Sequence, residues 1–121
     1  MEKLSHQEEE AMQAVWKTGE GSVKLFLENM PVSGTPYTTL ASTIKNLEKK
    51  GFLSSRLIGN AYLYKPLISE DEYKKKFMNG FVRDYFSNSY KDLVNFFIEE
   101  KKLSPGELKE IIDLIEGSNT K

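Results

Sequence analysis

The polar side chains best suited to binding chemistry lie in one helix-length stretch, YTTLASTIKNLEKKG, at residues 37–51. Apart from Glu48, its polar residues are small, neutral or basic, whereas a solvated helix usually mixes acids and bases more evenly. From Lys45 to Lys65 the sequence has five basic residues against that one acid, although the net charge of the chain is −1. A local excess of positive charge favours binding to a polyanion.

The spacing of this stretch divides a helix into two faces at about 100° per residue. One face is apolar and is expected to lie in the core; it comprises Tyr37, Leu40, Ile44 and Leu47. The opposite face carries short donors and lysines, namely Thr38, Ser42, Lys45, Asn46 and Lys49. Short polar side chains can reach base edges in the major groove, and lysines can meet phosphates. The pattern indicates a DNA-reading helix, with a merely solvated face as the alternative.

A β-hairpin is predicted directly after this helix. The runs FLSSRLI and AYLYKPLI flank Gly59-Asn60, a two-residue loop typical of hairpins, and Pro66 indicates where the pairing ends. Asn60 can be read equally as a turn residue or as a DNA contact. The predicted DNA contacts of the helix and hairpin are Thr38, Thr39, Ser42, Thr43, Lys45, Asn46, Lys49, Lys50, Arg56, Asn60 and Tyr62.

The order of the elements predicts the fold. Ser5 and Glu8 form a capping pattern before a first helix, and apolar spacing from about Ser22 to Met30 indicates a second one. Three helices followed by a hairpin is the order of a winged helix-turn-helix, with the third as recognition helix. We therefore predict a mainly α fold with a small β-hairpin. It would comprise a winged-helix DNA-binding domain at residues 1–68 and a helical dimerisation region at 69–121.

The C-terminal region is rich in aromatic and aliphatic side chains for a set of three helices. Apolar patches of that size mark an interface, and a two-fold homodimer would match a palindromic operator. An intramolecular core is the alternative. The predicted dimerisation residues are Tyr73, Phe77, Phe81, Tyr85, Phe86, Leu93, Phe96, Phe97, Leu108, Ile111, Ile112 and Ile115.

Enzymatic chemistry is not expected. The chain has no cysteine, and its one histidine, His6, is predicted to be exposed and has no metal-ligand spacing around it. Adjacent carboxylates such as Glu9 and Glu10 point to different sides of a helix and make poor acid-base pairs. We therefore predict no catalytic residue, no cofactor and no metal. No apolar run approaches the length of a membrane span and the N-terminus is acidic, so a cytoplasmic location is expected.

Several segments together carry a family resemblance. LSHQEEEAMQAVWKTGEGSVK, PYTTLASTIKNLEKKGFL, GNAYLYKPLIS, EDEYKKKFM and LSPGELKEIIDLIE cover nearly the whole chain and resemble the penicillinase-repressor family (the BlaI/MecI/CopY group). The resemblance implies a dimeric winged-helix repressor that binds a dyad operator in a bacterial promoter. The family commonly has arginine where this chain has Asn46 and often where it has Asn60, which implies a different base preference. The C-terminal cysteines of the copper-responsive branch are absent.

The resemblance also implies a release step. In the antibiotic-resistance branch, induction is similar to a protease switch, in which cleavage at an Asn-Phe bond separates the dimer. This chain contains Asn95-Phe96, whereas aligning FIEEKKLS with that branch places Phe96-Phe97 at the cut. A membrane-bound sensor protease is the implied partner. Activation instead of repression stays open, and the alternative function is a winged-helix module that binds another protein and no DNA.

Overall fold

Six helices and one hairpin make up residues 3–119, the part of the chain that the computed structural model describes. The elements in chain order are α1 His6–Thr18, α2 Val23–Glu28, α3 Tyr37–Lys49, β1 Leu53–Ile58, β2 Ala61–Pro66, α4 Glu70–Phe86, α5 Tyr90–Glu99 and α6 Pro105–Asn119. The chain forms two compact units that divide between Lys74 and Lys75, six residues after the predicted boundary. The predicted mainly α fold with a hairpin in winged-helix order is confirmed.

Local sequence signals account for the start of α1. The Ser5 hydroxyl accepts a hydrogen bond from the Glu8 amide at 3.1 Å, and the Ser5 amide donates to the Glu8 carboxylate at 2.9 Å. This reciprocal cap is the predicted one and satisfies two amides that the helix leaves free. His6, at the first position, is exposed, as the sequence predicts.

The core of the first unit is built mainly by one face of each of the three N-terminal helices. Its largest fully buried side chains are Met12, Val15, Phe26, Leu40, Ile44, Leu47 and Leu53. The predicted apolar face of α3 is therefore confirmed at three of its four positions. Tyr37 is the exception, with 52 % of its surface exposed. It is the first residue of α3, and at that end the helix extends past the edge of the core.

The hairpin pairs in antiparallel register, from Leu53 opposite Pro66 to Ile58 opposite Ala61. Gly59 has a φ of 60° at the first position of the two-residue loop, which is typical of a type II′ turn and strained for any other residue. Gly21 adds a bridge on the outer side of β2, because its amide and carbonyl both bond to Tyr64, at 2.9 and 2.8 Å. The bridge joins the hairpin to the α1–α2 connection.

The first turn of α4 packs on the winged helix. The ring of Tyr73 lies 5.5 Å from that of Trp16 and 6.2 Å from that of Phe52, and its hydroxyl donates to Glu9 at 2.8 Å. Burial, followed by the bond to Glu9, raises the pKa of Tyr73 to about 12. Tyr73 therefore packs against the core of the first unit, and its predicted role in dimerisation stays a prediction. Ser69 caps α4 only three residues after β2 ends. Because this connection is short, the first turn of α4 lies against α1.

The second unit has a small interior. Of its described side chains only Val82 and Leu93 are buried, and the rings of Phe81, Phe86 and Phe96 form a partly exposed row along α4 and α5. Ser89 and Ser104 cap the starts of α5 and α6, since the hydroxyl of each accepts a hydrogen bond at 3.1 Å from the backbone amide three residues later. Most other apolar side chains of this unit are exposed.

Candidate nucleic-acid interface

The outer face of α3 is a polar surface without an exposed acid. All five residues predicted for it are exposed: Thr38, Ser42, Lys45, Asn46 and Lys49. Within the part of the chain that the structure describes, neither lysine forms an ion pair, so both ammonium groups are available to an anion. Glu48 is half-buried and accepts a hydrogen bond from the Ser55 hydroxyl, which directs its carboxylate toward β1. The surface that results is cationic.

Thr39 and Thr43 differ from the other predicted contacts of α3. Thr39 is half-buried, and Thr43 is buried, with its hydroxyl donating to the Thr39 carbonyl at 2.9 Å. A threonine that bonds back to the preceding turn has no free donor for a base. At about 100° per residue Thr43 lies only about 40° from Leu47, so the helical spacing already contained this signal. The burial of Thr43 and its bond to Thr39 do not favour its predicted contact with DNA, which stays a prediction.

Lys50 is also engaged within the protein. Its ammonium lies 2.8 Å from the carboxylate of Glu8, whose residue surface is only 6 % exposed. Burial alone would raise the pKa of Glu8, but hydrogen bonds from Lys50 and from Ser5 outweigh it and hold that pKa below 4.5. The pair therefore ties the end of α3 to the start of α1. Lys50 thus contributes to the fold through Glu8, and its predicted contact with DNA, which would compete with this pair, stays a prediction.

Replacing Glu8 by Gln should lower the free energy of unfolding at neutral pH by about 1–3 kcal/mol, because it leaves a half-buried ammonium without its partner. The folded pKa of Glu8 lies below its unfolded value, so this stabilisation is present above the unfolded pKa and is lost as the pH falls through the folded one. Urea denaturation of both proteins should show the difference between their free energies of unfolding shrinking as the pH falls below about 4.3, the pKa of a glutamate in an unfolded chain. Glu28→Gln, an exposed carboxylate on α2, is the control and should change stability little.

The hairpin carries the remaining predicted contacts. Asn60 and Tyr62 are exposed at its tip. Arg56 is also exposed, but its guanidinium binds Glu20 through two hydrogen bonds, from Nε at 2.9 Å and from Nη2 at 2.7 Å. The bond to Arg56 lowers the pKa of Glu20, and the same bond raises the pKa of Arg56, so the pair stays ionised at neutral pH. Arg56 is thus a paired cation.

Three exposed apolar side chains lie beside the predicted contacts, and the sequence pattern did not identify them. They are Tyr37 at the start of α3 and Leu57 and Ile58 near the hairpin tip. The hairpin buries Leu53 and Tyr64 at its base, while its outer half extends past the core. Strand propensity alone gives no signal of where the core stops.

Residues 3–119 contain neither a metal-binding cluster nor a membrane-spanning helix. No cluster of histidine, aspartate or glutamate side chains there is arranged to hold a metal ion. No helix in that part of the chain is long and apolar enough to cross a membrane.

The chain matches one family by sequence along most of its length. The family model described as Penicillinase repressor matches residues 4–117. The methicillin resistance regulatory protein MecI of Staphylococcus aureus (strain N315) is 26% identical over 115 residues, which cover 93% of each chain. The penicillinase repressor of Bacillus licheniformis is 24% identical over 115 residues, covering 94% of this chain and 90% of that one. A solved structure of Bordetella bronchiseptica BpsR covers 98% of this chain and 77% of that one, at 15% identity and a TM-score of 0.47.

Proposed function

Because the chain belongs to the penicillinase repressor family, and is accordingly a DNA-binding transcriptional repressor, we propose that it acts as a homodimer on a palindromic operator in a bacterial promoter. The same family membership confirms the prediction that the chain is not an enzyme. The observation that carries the proposal is the exposed outer face of α3, which has no exposed acid and whose two lysines form no ion pair with any described residue. Its site of action would be the cytoplasm, where promoter DNA lies.

In this proposal α3 enters the major groove. Thr38, Ser42 and Asn46 are short enough for the helix to approach base edges, where hydroxyl and amide groups can donate and accept hydrogen bonds. Lys45 and Lys49 meet phosphates on either side and supply affinity that does not depend on sequence. These roles are supported by exposure and by the lack of a competing carboxylate on the same face.

The second unit would join the two protomers. Its exposed apolar side chains extend over α4, α5 and α6 and include Phe77, Tyr85, Phe96, Phe97, Ile111, Ile112 and Ile115. Exposing apolar surface of this kind to water is unfavourable, and packing two copies together would bury it. Two-fold symmetry would then place one α3 in each half of a palindrome, one helical turn of DNA or a multiple of it apart.

Release from DNA would follow cleavage of α5 by a membrane-bound sensor protease. The candidate residues Asn95, Phe96 and Phe97 are exposed, and Phe96 packs against Phe86 of α4, so a cut here would divide the aromatic row of the second unit. Loss of the dimer would lower DNA affinity. An intact chain after co-expression with such a protease would contradict this step.

Direct binding tests the proposal. The purified chain is titrated onto a fragment of its own promoter and onto a mixed-sequence duplex over a range of salt concentrations. The promoter should bind more tightly, and both affinities should fall as salt rises, because phosphate neutralisation releases counterions. Absence of binding even at low salt would favour the alternative, a winged-helix module that binds another protein.

Asn46→Ala should change sequence preference and leave the salt dependence as it is. An amide that contacts one base edge contributes about 1–3 kcal/mol of discrimination at that base pair and neutralises no phosphate. Binding to an operator library before and after the substitution would show relaxed preference at a single position. Gln13→Ala, an exposed amide on α1, should leave the preference unchanged.

A further inference from the structure

Glu20 is held at a fixed place in the fold by both of its neighbours. The Gly19 amide bonds to the Val15 carbonyl at 2.7 Å and closes α1, with Gly19 at a φ of 84°. Gly21 is bonded in both directions to Tyr64 on β2. The carboxylate of Glu20 therefore projects from a backbone that cannot shift without breaking a helix end or a sheet bridge.

Arg56 lies on the side of the hairpin that faces away from α3. Side chains alternate along a strand, so Arg56 shares its face with Ser54 and not with Ser55. Ser55 bonds to Glu48 of α3, and Leu53, on the same face as Ser55, is buried in the core. Arg56 would have to leave Glu20 to reach a phosphate beside the outer face of α3.

The pair is also the outermost attachment of the hairpin. Among the described residues, none from 57 to 62 forms a hydrogen bond or an ion pair outside the hairpin. Leu57 and Tyr62, opposite each other in the register, are 58% and 56% exposed. A free two-stranded hairpin is marginally stable in water, so its direction depends on what holds it near the tip.

We propose that Glu20 and Arg56 are positioning residues for DNA binding, which fix the hairpin tip (residues 57–62) in one orientation against the duplex. This inference rests on the proposed function. A bidentate carboxylate–guanidinium pair is directional as well as charged, so it restricts the hairpin where a single lysine contact would not. An exposed ion pair adds little to global stability, so the effect of the pair should appear in binding and not in unfolding.

The test uses four full-length variants: Glu20→Gln, Arg56→Gln, the two together, and the exchange Glu20→Arg with Arg56→Glu. Each single variant should weaken promoter binding about three- to tenfold, and the double variant should be no weaker than either single one. The exchange should restore most of the affinity. The salt dependence and the melting temperature should stay close to those of the wild type, and amide resonances of Gly59 and Asn60 should move in both single variants and return in the exchange.

The two single variants change the net charge in opposite directions, so equal losses of affinity cannot arise from charge alone. A phosphate contact by Arg56 would instead lower the salt slope by about 0.9 per protomer in Arg56→Gln and make the exchange the weakest binder. That result would overturn the inference, as would unchanged affinity in both single variants. A wild type that does not bind the promoter would overturn the proposed function as well, whereas wild-type binding with unaffected variants would overturn this inference alone.

Discussion

Replacing Lys45 and Lys49 together by Ala should weaken binding to DNA of every sequence about ten- to thirtyfold per protomer at physiological salt. Each ammonium that meets a phosphate releases condensed counterions, so the slope of log affinity against log salt should become shallower by about 0.9 for each ammonium removed. Both side chains are exposed on α3 and have no carboxylate partner in the described residues, so nothing in the free protein offsets their removal.

Fluorescence anisotropy with promoter and mixed-sequence duplexes would measure both quantities. Lys75→Ala with Lys76→Ala is the matched control, because it removes the same charge from exposed positions on α4 in the second unit. The control should keep nearly the wild-type affinity and slope. Equal effects of the two pairs of substitutions would mean that the protein responds only to its net charge and that α3 has no special place in binding.

Local signals were enough to predict the scaffold. The reciprocal cap at Ser5 and Glu8, the apolar spacing of Leu40, Ile44 and Leu47, and the Gly59-Asn60 loop each depend on residues close together in the chain. Caps, helical faces and tight turns are decided within a few residues, so a single sequence carries them. The winged-helix order followed from these elements alone.

The partner of each charged side chain could not be predicted in the same way. Glu8 and Lys50 are separated by 42 positions, and Glu20 and Arg56 by 36. Tyr73 bonds to Glu9 across 64 positions. Such pairs depend on how the helices and the hairpin pack, and composition shows only that opposite charges are available. The sequence therefore overestimated the number of free cations near α3.

These long-range pairs sharpen the proposed site. Lys50 and Arg56 have partners within the protein, and Lys65 lies close enough to Glu20 to help lower the pKa of its carboxyl. The other two cations between Lys45 and Lys65 are Lys45 and Lys49, which form no ion pair with any described residue and both lie on the outer face of α3. The charge available to DNA is thus concentrated on the helix that would read the bases, while the paired residues give that helix and the hairpin their positions.

Ile112→Asp should convert the protein from a dimer to a monomer and lower its affinity for a palindromic operator by about a hundredfold or more. At about 100° per residue, α6 has an apolar face that includes Ile111, Ile112 and Ile115, with Lys109 and Asp113 on the other side. Ile112 is 51% exposed, so an aspartate costs the single chain little. At a protomer interface, the same carboxylate would be buried without a partner and would oppose association.

Lys109→Asp provides the control, because it introduces the same side chain on the polar face of the same helix and should leave the dimer intact. Sedimentation equilibrium would give the oligomeric state of each variant, and operator titration would give the affinity. A monomer still binds one half-site through α3, so Ile112→Asp should leave the affinity for a duplex with a single half-site unchanged. Its affinity for the full palindrome should fall to that of the single half-site. A dimer that persists in Ile112→Asp would remove α6 from the interface and leave α4 and α5 to form it.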